Sequence, residues 1–207
     1  MKGESDGGAG APGPRKRRFA RIAVAVAWLL AAGAGLFVLE RYAATPGAEA
    51  GVPAAWPAAS SLRAPAGRPM LLLFLHPECP CSRATLSELE RLLAAARREV
   101  EVVALLSAPG EALVARVSSI PGVRVARDRL GEEARRFGAT TSGHALLYGP
   151  RGELLYRGGI TRARGHEGDN SGSEAILAHL RGERGGARGP VYGCPLRRPG
   201  SEGANDG

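Results

Sequence analysis

The chain has 207 residues, 44% of them hydrophobic and 23% charged, which suits one globular domain with extensions and argues against wholesale disorder. Three cysteines are too few for a disulfide-stapled mini-scaffold. The net charge of +8 resembles a nucleic-acid signal until it is divided: residues 69–185 hold 16 basic and 14 acidic side chains, while residues 1–21 alone carry a net +4. With four Tyr, four Phe and two Trp there is little on which to stack bases, so no nucleic-acid partner is expected.

Residues 1–18 are Gly/Pro-rich and end in Arg15-Lys16-Arg17-Arg18, which reads as a disordered basic N-terminus. Residues 19–41 follow as a predicted membrane anchor, because Ile22 to Leu39 is 18 residues without a charge. At ~1.5 Å per residue such a helix spans roughly 27 Å, enough for a thin bilayer core. The basic flank keeps its own end cytoplasmic, so the rest of the chain is expected to be exported: a single-pass protein of a bacterial-type inner membrane with its C-terminal domain in the periplasm. A cleaved signal peptide is the rival reading, although its apolar region is usually shorter, about 7–15 residues. Residues 42–68 are rich in Ala and Pro and read as a spacer, with Trp56-Pro57 as the first point of contact with the domain.

Residues 69–185 alternate strands and helices. Pro69 to Leu75 is a continuous apolar run, as in a strand buried on both faces. Ser82 to Arg98 carries Leu86, Leu89, Leu92, Leu93 and Ala96 at helical spacing. Val100 to Leu106 reads as a strand, Glu111 to Ser118 as a short helix and Val123 to Ala126 as a third strand. Asp128 is placed to cap a helix ending at Gly138. His144 to Tyr148, the turn 149–152 and Glu153 to Tyr156 form a predicted hairpin. Ser171-x-x-Glu174 has the pattern of a capping box for a last helix. Residues 186–207 form an irregular tail that carries Cys194.

The chemistry concentrates where the first strand runs into His76-Pro77-Glu78-Cys79-Pro80-Cys81-Ser82-Arg83 and a helix begins. A thiol at a helix N-terminus meets unpaired N–H groups and the positive end of the dipole, and both favour thiolate. Thiolate is the nucleophile of disulfide exchange and also a soft metal ligand. Either Cys81 or Cys194 is available to resolve a mixed disulfide on Cys79. Two other readings stand beside this one. Cys79, Cys81 and Cys194 with a histidine suit copper or another thiophilic metal, and the charged loop 158–173 suits a docking module without turnover.

On the strand–HPECPCS–helix start, the closing hairpin and the late Gly193-Cys194-Pro195-Leu196, the chain resembles the thioredoxin-like superfamily. It is most similar to membrane-anchored thiol-disulfide proteins of the TlpA type and the small RedB-type group. The resemblance implies an α/β thioredoxin-like fold, a central mixed sheet flanked by helices, preceded here by one transmembrane helix. It implies that Cys79 is the first active-site cysteine, that Ser82 stands at the second and that Cys81 replaces an intervening residue. It puts Gly143, in Thr140-Thr141-Ser142-Gly143-His144, where a proline is expected. It brings His144 and the loop bearing His166 to the active face as further binding residues. The partner implied is an exported protein thiol or disulfide; no cofactor or resident metal is expected.

Overall fold

The computed structural model describes residues 14–48, 50–96, 100–108 and 110–196. The chain divides into two units, Met1–Tyr42 and Ala43–Gly207. Helix α1 (Pro14–Ala44) dominates the first. Its segment Arg17–Ala44, whose most apolar 18-residue stretch has a mean hydropathy of 2.5, is long and apolar enough to cross a membrane, and that stretch buries nothing against protein. Trp28, Leu30, Phe37 and Leu39 are all exposed, so the helix is apolar all round and not along one stripe. Residues 14–18, expected in the disordered segment, are already helical. Proline opens a helix without losing a bond, and Arg and Lys propagate it well. Residues 1–13 lie outside the described residues.

The second unit contains β1 (Met70–Leu75), α2 (Cys81–Ala95), β2 (Glu101–Leu106), α3 (Glu111–Ser118), β3 (Val123–Arg127), α4 (Glu132–Arg136), β4 (His144–Tyr148), β5 (Leu154–Gly158) and α5 (Ser171–Leu180). The sheet order is β3-β2-β1-β4-β5. β1, β2 and β3 run parallel, β4 is antiparallel to β1, and β5 is antiparallel to β4. All six residues of β1 are buried, as a central strand covered on both faces requires. Leu71, Leu73 and Leu75 meet the helices α2, α3 and α5 through Leu86, Leu89, Leu113, Val117 and Ile176. Met70, Leu72 and Phe74 face a second core with Phe137, Leu146, Tyr148 and Leu196.

That second core explains the segment read as a spacer. Val52, Trp56 and Leu62 pack against it, with the Trp56 ring edge-on to Phe137 at 4.9 Å and to Tyr148 at 5.2 Å. Trp56 N–H donates to the Gly152 carbonyl (2.8 Å) and Leu154 N–H to that of Ala54 (2.8 Å). The Ser60 hydroxyl and the Ser61 N–H donate to the carboxylate of Glu133, a buried residue (2.6 and 2.9 Å). Burial pushes that carboxyl up, but the bonds from Ser60, Ser61 and Arg136 outweigh it and hold it below its ordinary value. A strap of three separated apolar residues thus covers this face beside α4, a spacing that leaves no periodicity in the sequence.

The capping details differ from expectation by one residue at the last helix. Asn170, extended at φ −148°, accepts from Ser173 N–H at 2.8 Å and is the N-cap; Ser171 is already helical. Asp128 binds the N–H groups of Glu133 and Ala134 at 3.1 and 2.8 Å, as a capping carboxylate does.

Candidate functional site

After Leu75 the chain makes a tight turn in which Cys79 N–H donates to the His76 carbonyl (3.1 Å) and Ser82 N–H to that of Cys79 (3.0 Å). Pro80 is the N-cap and Cys81 the first residue of α2, so Cys79 sits just ahead of the helix and not within it. No acidic residue occupies the first turn, which leaves the positive end of the helix uncompensated on its own element.

Ser82, the candidate at the second cysteine position, is buried, lines the same groove as Cys79 and has its hydroxyl engaged. Its hydroxyl donates to the His76 carbonyl (2.8 Å) and lies 3.2 Å from that of Ser142, which accepts from His76 N–H (2.9 Å). These bonds clasp the cysteine turn to the loop 140–143. Glu78 N–H donates to His76 Nδ1 (3.2 Å), so that imidazole also shapes the turn. Gly143 answers the question of the missing proline. Its φ of +89° is closed to proline, and its N–H donates to the Phe74 carbonyl at 2.7 Å, a bond proline cannot make.

The third cysteine arrives from the far end of the chain. Residues 193–196 lie antiparallel beside Thr140–Ser142, with Ser142 N–H donating to the Cys194 carbonyl (2.8 Å), Leu196 N–H to that of Thr140 (2.9 Å) and a bridge pairing Thr141 with Pro195. A Cβ on Gly193 would collide with the Ser142 carbonyl, so only glycine permits this approach. The result is that Cys194 N–H, 115 positions along from Cys79, donates to Cys79 Sγ at 3.4 Å.

All three cysteines are free thiols, Cys79 and Cys81 buried and Cys194 half-buried. Burial pushes the Cys79 thiol up, but hydrogen bonds from the Cys194 side chain and N–H and from the Cys81 N–H and side chain more than offset it, leaving Cys79 below the ordinary thiol value. Cys194 is raised to about 11, by burial, then by donating to Cys79 and by the nearby negative charge of Cys79 and Cys81, which disfavours a further thiolate. Cys81 is also raised, by burial and by the Cys79 charge, against the opposing pull of the Gly165 N–H and Arg164. Of the three sulfurs, the surroundings thus favour ionisation at Cys79 and oppose it at Cys81 and Cys194.

The loop 158–173 closes over this cluster. The Arg164 guanidinium donates to the Gly193 carbonyl, and Gly165 N–H reaches Cys81. His166, expected at the site, is exposed; its Nδ1 is 2.9 Å from the Arg164 carbonyl, and among the described residues it bonds to no cysteine. The residues missed in sequence are Ser142 and Gly165, which act through a hydroxyl and a main-chain N–H that leave no motif.

His144 is in the expected strand position, paired with Phe74, but its ring lines a small cavity with Val52, Arg157, Arg188 and Val191 that contains no cysteine. Nδ1 is buried without a partner, and burial followed by the nearby Arg157 charge lowers this histidine to about 4. It is a neutral core residue. Between pH 6.5 and about 4 the unfolded chain takes up a proton at this side chain that the folded chain refuses, so stability falls as the solution is acidified through that window. The full shift corresponds to about 3 kcal/mol. Chemical denaturation of wild type and His144→Gln at pH 7 and pH 4.5 checks this: the acid-induced loss is expected to shrink in the variant.

Among the described residues no three of His, Cys, Asp and Glu are grouped to hold a metal ion, so the metal reading of the three cysteines and a histidine gains no support.

No protein-family model matches the chain, and no curated protein matches it. Among solved structures it is similar to an uncharacterized conserved protein of Geobacillus kaustophilus, at 21% identity and a TM-score of 0.55 over 76% of this chain and 94% of that one. It is similar to a hypothetical protein of Sinorhizobium meliloti 1021, at 23% identity and a TM-score of 0.54 over 75% of this chain and 96% of that one. A secreted Mycobacterium tuberculosis disulfide oxidoreductase homologous to E. coli DsbE matches at 18% identity and a TM-score of 0.42, over 56% of this chain and 83% of that one. The class is set by the sheet order β3-β2-β1-β4-β5, the one strand β4 that runs antiparallel to the other four and the cysteine turn between β1 and α2: the domain has the thioredoxin-like fold.

Proposed function

We propose that the chain is a membrane-tethered thiol-disulfide oxidoreductase that exchanges electrons with an exported protein, with Cys79 as nucleophile and Cys194 as resolving thiol. The observation that carries this reading is the convergence of Cys194 on Cys79 Sγ across 115 positions, held by main-chain pairing to the loop 140–142. In the reducing direction, the Cys79 thiolate attacks a substrate disulfide, forms a mixed disulfide and releases one substrate thiolate. Cys194 then gives its proton to solvent and attacks the Cys79 sulfur. The second substrate thiolate leaves, and a Cys79–Cys194 disulfide remains: the substrate gains two electrons and the protein loses two. The reverse sequence oxidises a dithiol by the same bonds. Cys81 is the less suited resolver, because a bridge to Cys79 would close a very small and strained ring. The α1 helix and its basic flank, Arg15 to Arg18, support a retained anchor with the cytoplasmic side at the N-terminus and the domain exported, in a compartment where disulfides persist.

Peptide mapping of the full chain in detergent, after mild oxidation and blocking of residual thiols, tests the assignment. The expected product links Cys79 to Cys194 and leaves Cys81 blocked. Three blocked thiols, or a Cys79–Cys81 link alone, would contradict it.

A further inference from the structure

Cys81 and Glu88 are seven positions apart on α2, about two turns, and so lie in line on one face of the helix. Both are buried, at 5% and 3% exposure. The loop 158–173 meets both of them: Gly165 N–H reaches Cys81, and Gly168 N–H donates to one Glu88 carboxylate oxygen at 2.6 Å. That oxygen also accepts from Arg91 at 2.6 Å, and the other accepts from the Asn170 amide at 3.4 Å. The Asn170 amide donates as well to the Gly168 carbonyl (3.1 Å), and its oxygen caps α5. Glu88 therefore joins α2, the loop and the start of α5 at one point. A carboxylate so buried is tolerated only when its oxygens are bonded, and one of its donors here is the main chain of the loop. At its other end the loop separates two sulfurs. Gly165 lines the groove beside Cys79 and reaches Cys81 with its N–H, whereas Cys81 itself does not line that groove. Cys194 N–H bonds to Cys79, so a disulfide taken up at Cys81 would miss the thiol placed to resolve it.

We propose that Glu88 is a positioning residue that selects the reacting sulfur: it holds the loop 158–173 along α2, so that Gly165 covers Cys81 and an incoming disulfide meets Cys79 alone. The proposal rests on the disulfide-exchange reading above and names what decides between two thiols only two positions apart. Glu88 touches no sulfur itself and acts through the main chain of residues 165–168.

The test uses the full chain in detergent with Cys79→Ser and Cys194→Ala, which leaves Cys81 as its one thiol. Adding Glu88→Leu removes both acceptor oxygens without exposing the helix. Hydrogen exchange of segments 159–166 and 167–170, read by mass spectrometry, is then expected to quicken together by about tenfold or more, with β1 and β4 still protected. The limiting rate of Cys81 alkylation by iodoacetamide at high pH is expected to rise by about tenfold as its cover lifts. Its midpoint is expected to move to higher pH, because the Gly165 N–H that favours the thiolate is lost. Glu88→Gln keeps an acceptor for Gly168 and is expected to stay within about threefold of its parent in both measurements. Asn170→Ser keeps a capping hydroxyl and withdraws only the amide, so both segments are expected to quicken by about threefold; it reads the same coupling should the leucine variant lose protection at β1. Faster exchange confined to 167–170, an unchanged Cys81 rate, or a glutamine variant as open as the leucine one would overturn the role of Glu88. A wild type whose Cys79 fails to react with a peptide disulfide would instead remove the exchange reading, and the selectivity with it.

Discussion

Cys79→Ser is expected to lower the rate of exchange with a model disulfide at pH 7 by at least about a thousandfold, since the hydroxyl replacing the thiol is not ionised at that pH. Cys81→Ala and Cys194→Ala are expected to keep reactivity with a different pH profile. Each removes the side-chain hydrogen bond that now helps to lower the Cys79 thiol and leaves the main-chain N–H in place, so the half-maximal rate moves to higher pH. The shift should be larger for Cys194→Ala, because the Cys194 side-chain hydrogen bond is the largest of the influences that lower Cys79 and that of Cys81 the smallest, while both main-chain N–H groups survive the substitutions. Stopped-flow rates from pH 5 to 10 for the three variants separate loss of the nucleophile from loss of its donors. Equal residual rates in all three would contradict the roles given to them.

The second large effect concerns the resolving step. Cys194→Ala should trap the mixed disulfide on Cys79 and lengthen its lifetime by about a hundredfold or more, because the intramolecular thiol, held at high effective concentration, is gone. Cys81→Ala should leave the lifetime near that of the wild type. Non-reducing gels and intact mass after a single addition of peptide disulfide read the trapped species directly. Accumulation in Cys81→Ala instead would move the resolving role to the helix.

Much of this architecture is legible in the sequence because its signals are periodic. β1 is six apolar residues in a row, and α2 repeats leucine at helical spacing. The order of elements that follows fixes which end of the sheet carries the cysteine turn. What escapes are contacts made by isolated residues and by the main chain. The strap 43–68 buries Val52, Trp56 and Leu62 far apart in a Pro/Ala-rich stretch, a composition that reads as linker. The tail reaches the site through carbonyls and N–H groups of residues 140–142 and through the absence of a side chain at Gly193, none of which is a motif. His144 shows the limit of arguing from topology alone. The strand start is where it was expected, yet the ring lines a cavity with Arg157 and Arg188 and holds no cysteine. Gly143 shows the reverse: a departure from the family pattern becomes intelligible once its φ of +89° and its bond to Phe74 are known.

Thiolate formation at position 79 is the claim on which the exchange chemistry stands. Its most direct measurement is the pH dependence of iodoacetamide alkylation at that residue in the reduced full chain, followed by mass spectrometry of the peptide bearing it. A midpoint below the ordinary thiol value of about 8.5 is expected. A midpoint at or above that value, or alkylation that reaches Cys81 or Cys194 first, would contradict it.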